Sequence, residues 1–499
     1  MKPRVTLRYA FADPQLLGGA LPGASWQMWR TLLIASMGEP LLRSERSLFH
    51  ELTGRDAEPG DCVEELWSIA GRRSGKTRAA ATLAAYPGCL CDHKEALAPG
   101  ERGVLPILAA STTQATRAFN HLVGILTASP ILSTEIETQM SDITKLKTGI
   151  DVEIRPANFK TIRGITAIGA IADEVAFWNI EGAANPDSEI LDALRPALAT
   201  TGGPLIVISS PYAKRGELYG AFRRHYGANG DRLVLVAKGA SRTFNPTLPQ
   251  KVVDRAYERD AAVASAEYGG EFRNDVAAFV NREVVEACVA PGRYELPPVS
   301  GVRYIGFVDP SGGSADAMTL AIGHKDKDGR AILDAVRERR PPFSPEDVVA
   351  EFADLLDSYR VHRITGDRYA GEWPRQRFRN LGIAYETAEQ VKSDIYRDCL
   401  PLLNSGRIEL LDNQRLVSQF CGLERRTTRG GRDSIDHPPG AHDDLANSVA
   451  GAAVRLAGAR APMVIPPEVL QRSRMLTRRS ARFAMGRRCA TPSLYREVP

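Results

Sequence analysis

Ala70-Gly71-Arg72-Arg73-Ser74-Gly75-Lys76-Thr77 is the stretch whose reading decides the first half of the chain. It follows an apolar run, Leu66-Trp67-Ser68-Ile69, and precedes an alanine-rich helical pattern from Arg78 to Tyr86. Strand, tight loop and helix in that order are the setting in which glycines let backbone N–H groups turn toward phosphates. In such a loop Lys76 reaches the β- and γ-phosphates of a nucleoside triphosphate, and the Thr77 hydroxyl binds Mg2+. Ala70 stands where the pattern usually has its first glycine, and Arg72 and Arg73 stand where neutral residues are commoner. The octapeptide alone therefore also fits a basic strand-to-helix turn, and residues elsewhere have to decide.

Length and composition narrow the field. At 499 residues the chain exceeds one ordinary core and calls for two or three domains. A hydrophobic content of 43% with 25% charged residues is that of a globular protein. No apolar run reaches the roughly 18 residues that span a bilayer, and the N-terminus has no signal-peptide pattern, so a cytoplasmic protein without a membrane partner is expected. Seven cysteines without a paired C-x-x-C spacing indicate neither a disulfide framework nor a zinc site. The net charge of +4 is too small to prove a nucleic-acid partner, but from Arg460 onward nine arginines face only Glu468 and Glu497.

The strand that matters most after the loop is Ala167-Ile168-Gly169-Ala170-Ile171-Ala172, which runs into Asp173-Glu174 about a hundred residues further on. A parallel sheet delivers the C-terminal ends of its strands to one edge, where the phosphate loop also opens. There Asp173 can hold Mg2+ through water, and Glu174 can take a proton from the water that attacks the γ-phosphate. Val104 to Ala110 followed by Ser111-Thr112-Thr113-Gln114 reads as another strand and helix cap. Pro204 to Ile208 is a further apolar strand ending in Ser209-Ser210-Pro211, where Ser209 can contact the γ-phosphate. Gln27, between Trp26 and Trp29, offers an amide that can read an adenine edge beside an aromatic face, although such residues are more often plain packing. Arg163, ahead of Gly164, is the favoured arginine finger, acting on a neighbouring subunit, with Arg72 and Arg73 as alternatives; a finger is worth roughly 10³–10⁵ in rate.

Taken together, Ala70 to Thr77 with its basic interior, Arg163-Gly164, Ile171-Ala172-Asp173-Glu174-Val175-Ala176-Phe177-Trp178 and Ser209-Ser210-Pro211 resemble the ATPase of a tailed-phage terminase large subunit. The resemblance implies an ATP-driven, DNA-packaging motor, with phosphate loops that depart from the standard pattern, and a second half with nuclease chemistry.

Residues not yet used test that implication. After a junction near Tyr268 to Ser300, Val302 to Asp309 reads as a strand with a carboxylate at its end, Met318 to His324 as a second strand, and Asp328-Gly329 as the hairpin turn into a third, Ala331 to Arg337. Ser344-Pro345-Glu346-Asp347 starts a helix that runs to about Tyr359. The strand Val361 to Gly366 ends in Asp367, and Gly440-Ala441-His442-Asp443-Asp444 opens a small-residue helix. That is the ribonuclease H order. Hydrolysis of a phosphodiester by two ions roughly 3.5–4 Å apart requires carboxylates from different elements, and Mg2+ or Mn2+ suits oxygen-only ligands. Asp309, Asp367 and one of Asp443 or Asp444 supply them; by resemblance Asp444 is the direct ligand, with Asp443 as helper and Asp316 as a candidate auxiliary acid. Arg368, Lys392, Arg425, Arg426, Arg429 and Arg432 are candidate DNA-phosphate contacts.

The expected organisation is an α/β chain: a P-loop ATPase domain at 1–275 with a parallel sheet flanked by helices, a linker at 276–299, a ribonuclease H-like nuclease domain with a mixed sheet at 300–460, and a basic tail at 461–499. The resemblance adds double-stranded DNA, the portal protein of the procapsid, the small terminase subunit and a homo-oligomeric, pentameric ring as partners. It places the protein in the cytoplasm of an infected bacterium and transiently on the portal. The competing reading is a cellular ATP-dependent repair or helicase-like enzyme with a fused nuclease. Val175-Ala176 after the acidic pair, in place of a helicase-type run, and the lack of a second helicase core weigh against it.

Overall fold

In chain order the first strands are β1 (Lys2–Pro3), β2 (Glu65–Ala70), β3 (Cys91–Asp92), β4 (Gly103–Ala109), β5 (Ile136–Gln139), β6 (Ile143–Leu146), β7 (Ile150–Pro156), β8 (Ala170–Asp173), β9 (Leu205–Ser209) and β10 (Val234–Gly239). The structure is a computed structural model, and it describes residues 1–156, 162–178, 186–314, 316–367, 373–427, 433–438 and 440–458. β1 pairs with β3, and the others form one sheet in the order β10-β2-β9-β8-β4-β7-β6-β5. From β10 to β7 every neighbour is parallel. β6 and β5 add an antiparallel edge that the sequence reading did not contain.

The strands are apolar runs because both sheet faces are covered. Leu66, Leu105, Ile107, Ile171, Ile206 and Ile208 lie in one core, whereas Trp67, Ile69, Leu108, Ala172 and Val207 lie in the other. Adjacent residues belong to opposite cores, as the two-residue period of a strand requires. The alanines of the helix Lys76–Cys89 allow it to nest against the sheet and the helix Thr112–Ala128, whose first turn is capped by Ser111 accepting from Gln114 N–H.

The later strands are β11 (Val276–Ala278), β12 (Tyr304–Asp309), β13 (Met318–Lys325), β14 (Ala331–Arg339), β15 (Arg363–Gly366), β16 (Ala384–Thr387), β17 (Ile408–Glu409), β18 (Glu424–Thr427) and β19 (Asp433–Asp436). The second large sheet runs β16-β15-β12-β13-β14-β17. β12, β13 and β14 form an antiparallel meander, with Gly329 at φ 84° in its hairpin, and β15 and β16 continue parallel to β12. This is the ribonuclease H-like mixed sheet that the element order leads one to expect. The helix Pro345–Ser358, capped by Ser344, covers one face with Val348, Val349, Phe352 and Leu356. The helix Asp444–Gly458 covers the other with Leu445, Val449 and Ala453.

The segment 276–299 differs from the linker expected of it. β11 pairs with β18, and Phe279, Val280, Val285 and Cys288 are buried in the second core beside Phe420 and Leu423. Its prolines and glycines hid these apolar anchors. β18, β11 and β19 form a small three-stranded sheet. Here Glu424, 0% exposed, accepts from Tyr212 Oη at 2.6 Å and Arg215 Nη2 at 2.5 Å, both contributed by the chain just beyond β9. Arg426 Nη2 donates to the same carboxylate at 3.0 Å. The first half of the chain is thus bonded to the second through one buried acid. The tail from 461 onward, with Cys489, lies outside the described residues, as do Arg368, Arg429 and Arg432. No described helix is long and apolar enough to cross a membrane.

Candidate functional site

Two clusters of polar side chains lie at the C-terminal edges of the two sheets. In the first, the loop between β2 and the helix Lys76–Cys89 turns with Arg73 at φ 63° and Gly75 at φ 90°. A Cβ on Gly75 would meet the Trp26 ring at 2.7 Å, so the residue must be glycine on two counts. Partners from afar hold the loop's carbonyls. Trp29 Nε1 donates to Ser74 O at 2.8 Å, Ser241 Oγ to Arg72 O at 2.6 Å and Asn245 Nδ2 to Arg73 O at 2.8 Å. Ala70 is buried at the end of β2, and Gly71 abuts Ser241 and the backbone of Glu267 and Tyr268, leaving no space for a side chain.

Lys76 is buried and meets two groups, Glu174 Oε1 at 2.9 Å and Ser210 Oγ at 3.0 Å. Glu174 sits at φ 55°, a left-handed conformation that costs a residue with a Cβ roughly 1–2 kcal/mol. The kink turns its carboxylate off the end of β8, where Oε2 accepts from Ser210 N–H at 3.0 Å and Ser209 Oγ at 3.3 Å. Asp173, one residue earlier, is buried with Oδ1 unpartnered. Burial, and then the Glu174 charge, push its carboxyl up to about 7, against the pull of Lys76 and a hydrogen bond from Thr77. An orphaned buried carboxylate oxygen beside a threonine hydroxyl is a donor set that fits Mg2+.

The structure separates other candidates from this cluster. Ser209 Oγ is taken up by Glu174, Ser210 O and Ala176 N–H, so Ser210, next in sequence, is the hydroxyl on Lys76. Gln27 is exposed at the start of the helix Gln27–Ser36, beside the Trp26 that touches the loop. Arg72 pairs with Glu267 at 3.3 Å, and Arg73 is exposed. Arg163 lines a hollow against the helix Pro186–Ala199 with Asp192 and Pro196, towards the opposite edge of the sheet, where Ala167 N–H bonds Ala197 O.

In the second cluster, Asp309 ends β12 and Asp367 directly follows β15, its N–H bonded to Val308 O at 3.1 Å. The two strands are parallel neighbours, so their carboxylates emerge side by side. Asp444 opens the helix Asp444–Gly458, accepting from Ala317 N–H at 3.3 Å, with its own carbonyl bonded by Thr319 Oγ1 at 2.7 Å. Burial holds the Asp309 carboxyl well above its usual range, opposed by a hydrogen bond from Asn447 and reinforced by the charges of Asp367, Asp444 and Asp443 in that order. Burial and then Asp443 push Asp444 up to about 6. Carboxylates gathered from two strands and a helix, with oxygen the only donor atom among them, fit hard divalent cations such as Mg2+ or Mn2+.

Asp443 points elsewhere. Its carboxylate meets Lys392 Nζ at 3.1 Å and accepts from Tyr396 Oη at 2.8 Å, and with Asp436 and His437 it forms an acidic and imidazole group around that lysine. Asp316 is exposed against His442 at 3.6 Å. Lys392, Arg425 and Arg426, expected as phosphate contacts, are engaged with Asp436 and Asp443, with Asp433, and with Glu424 respectively. Sequence reasoning missed Asn447, whose signal was only its place one helical turn beyond Asp444.

No family model matches the sequence, and no curated protein matches it. Among solved structures the chain is similar to the large terminase of bacteriophage HK97, at 17% identity over 87% of this chain and 100% of that one, with a TM-score of 0.35. It is also similar to the large terminase of a thermophilic bacteriophage, at 12% identity over 86% of this chain and 97% of that one, with a TM-score of 0.35. The large terminase nuclease of a thermophilic phage, G20c, matches 34% of this chain and 94% of its own length, at 16% identity and a TM-score of 0.31.

Proposed function

We propose that the chain is the large subunit of a phage-type terminase, an ATP-driven motor for double-stranded DNA joined to a metal-dependent endonuclease that cuts concatemers. The observation that carries the proposal is the meeting of Asp309 and Asp367 at Asn447 of the closing helix, with Asp444 of that helix near enough for its charge to act on Asp309, in a chain that also sets Lys76 against Glu174 and Ser210. A nucleotide hydrolase alone has no use for the first group, and a nuclease alone has none for the second.

In the first half, Lys76 belongs on the β- and γ-phosphates of bound ATP. Drawing it there leaves Glu174 without its cation, and the carboxylate, still aimed by the Ser210 N–H, is then able to take the proton of an attacking water. Thr77 and Asp173 would hold the Mg2+ of the nucleotide. Ser210 touches Lys76 while the next residues, through Tyr212 and Arg215, grip Glu424, so the state of the triphosphate site has a bonded route into the second half. In that half, divalent ions on Asp309, Asp367 and Asp444 would supply polarisation of the attacking water and stabilisation of the leaving oxygen. Arg163, distant from its own loop, suits a finger offered to the next subunit of a ring. The portal, the small subunit, the infected-cell cytoplasm and the pentameric ring complete the proposal.

The test is ATP-dependent encapsidation of DNA into matching procapsids, with nuclease-protected DNA as readout. Asp367→Ala should abolish Mn2+-dependent plasmid cutting and leave ATP hydrolysis in place. Undiminished cutting by that variant, or failure of the wild type to package, would overturn the proposal; failure to package with robust strand separation would favour the helicase-like alternative.

A further inference from the structure

Asn447 makes an arrangement that packing alone does not require. It is 1% exposed on the first turns of the helix Asp444–Gly458, and its single Nδ2 donates at 2.8 Å to Asp309 Oδ2 and at 2.8 Å to Asp367 Oδ2. An amide nitrogen carries two hydrogens, and here each goes to a different carboxylate from a different strand. The carbonyl of the same amide, Oδ1, is buried with no partner. Turning the amide over would set that oxygen against two carboxylate oxygens and leave them without their donor, so the orientation is fixed by the acids. A side chain that leaves one buried polar atom unsatisfied in order to satisfy two others is held there for what those two do.

We propose that Asn447 is a positioning residue for the acidic site. By bridging Asp309 and Asp367 it sets their separation and offsets their repulsion before any metal arrives, so that the ions meet a preformed pair. This rests on the nuclease reading of the cluster. The bridge ties the two strand ends to the element that carries Asp444, because Asn447 lies one turn further along the same helix and its N–H bonds Asp443 O at 2.8 Å. Partners that orient metal ligands without touching the ion typically contribute about 10–100-fold in metal affinity.

The test uses the full-length protein, wild type, Asn447→Ala and the isosteric Asn447→Asp, with MnCl2 as the probe. Two readouts are followed against Mn2+ concentration: plasmid cutting, and the rise in thermal midpoint, which needs no turnover. For Asn447→Ala the Mn2+ concentration for half-maximal effect should increase by about 10-fold in both readouts. For Asn447→Asp, which replaces the donor by a third negative charge, the metal-free midpoint should fall and the Mn2+-induced rise should exceed that of the wild type. A wild-type Mn2+ dependence in both variants would overturn the positioning role, as would an equal fall in midpoint with and without Mn2+, which is the mark of lost packing only. A wild type that neither cuts nor shifts with Mn2+ would overturn the nuclease reading, and the positioning role with it.

Discussion

Replacing Gly451 by alanine asks whether one close approach sets the geometry of the acidic site. A Cβ on Gly451 would lie 2.5 Å from Phe307 Cδ2 and Cε2, where ordinary contact begins at 3.4 Å. The Phe307 ring is 1% exposed and is enclosed with Ala321, Val449 and Ala450, so it cannot swing away. The helix Asp444–Gly458 must therefore back off from β12, by about 1 Å if the backbone takes up the whole overlap. Overpacking of this kind costs roughly 1–3 kcal/mol, while alanine in place of glycine returns about 1 kcal/mol of helix propensity. The net loss of stability is small, on the order of 0–2 kcal/mol, or a few degrees in thermal midpoint for a unit of this size. Activity should suffer more, because Asp444 and Asn447 ride on the same rigid helix while Asp309 and Asp367 stay on the sheet. A displacement of about 1 Å in a reacting constellation can lower a rate roughly 100-fold. The assay is Mn2+-dependent nicking of supercoiled plasmid beside thermal unfolding, with ATP hydrolysis as the internal control. Phe307→Leu in the alanine background should recover part of the cutting, since residues in contact couple. Gly451→Ala protein that cuts at the wild-type rate would refute the idea that this contact positions the site.

Glu174→Gln should abolish ATP turnover while nucleotide binding persists, measured by phosphate release and by fluorescent-nucleotide titration; hydrolysis at the wild-type rate would remove Glu174 from the chemistry. Glu424→Gln removes the buried charge shared by Tyr212, Arg215 and Arg426, and hydrogen bonds to charged groups are worth about 1.5–3 kcal/mol. Arg215 is partly exposed, which favours the lower figure. Calorimetry should show a lower midpoint and a separation of the two halves into distinct transitions; a single unchanged transition would count against the link. For pH, the His324 ring lies 2.7 Å from Asp334, which is 1% exposed. The hydrogen bond to Asp334 raises His324 above its ordinary 6.5, and burial raises Asp334 above its ordinary 3.8. Both groups bind protons more tightly when folded, so both make stability fall as pH rises. The histidine's share is fully present below 6.5 and is lost as pH climbs through its raised value. Thermal midpoints from slightly acidic to slightly alkaline pH should decline in the wild type and decline less steeply in His324→Gln, the raised carboxyls of Asp173 and Asp444 supplying the slope that remains; parallel profiles would contradict the assignment.

The sequence by itself determined the central strands that carry the two clusters and the ends at which their polar residues emerge. Leu66 to Ala70, Ala170 to Asp173 and Leu205 to Ser209 are apolar because a parallel sheet covered on both faces has no wet side, and a run that stops at Asp173, Ser209, Asp309 or Asp367 marks where the chain reaches the sheet edge. Such patterns are local, so one chain suffices to read them. What only the tertiary structure decided are relations across long separations. Ser210, not Ser209, meets Lys76, because the last residue of β9 turns its hydroxyl to Glu174 and the next one turns its own to the buried Lys76. Asp443 goes to Lys392 and Tyr396 while Asp444 stays with Ala317, a choice set by helix rotation against neighbours far away in sequence. Phe279, Val280, Val285 and Cys288 of the segment 276–299 join a core that also holds Phe420 and Leu423, more than a hundred positions on. Asn447 bridges acids 138 and 80 residues before it. No periodicity records that distance; the three side chains meet where the helix Asp444–Gly458 packs on β12 and its neighbour β15.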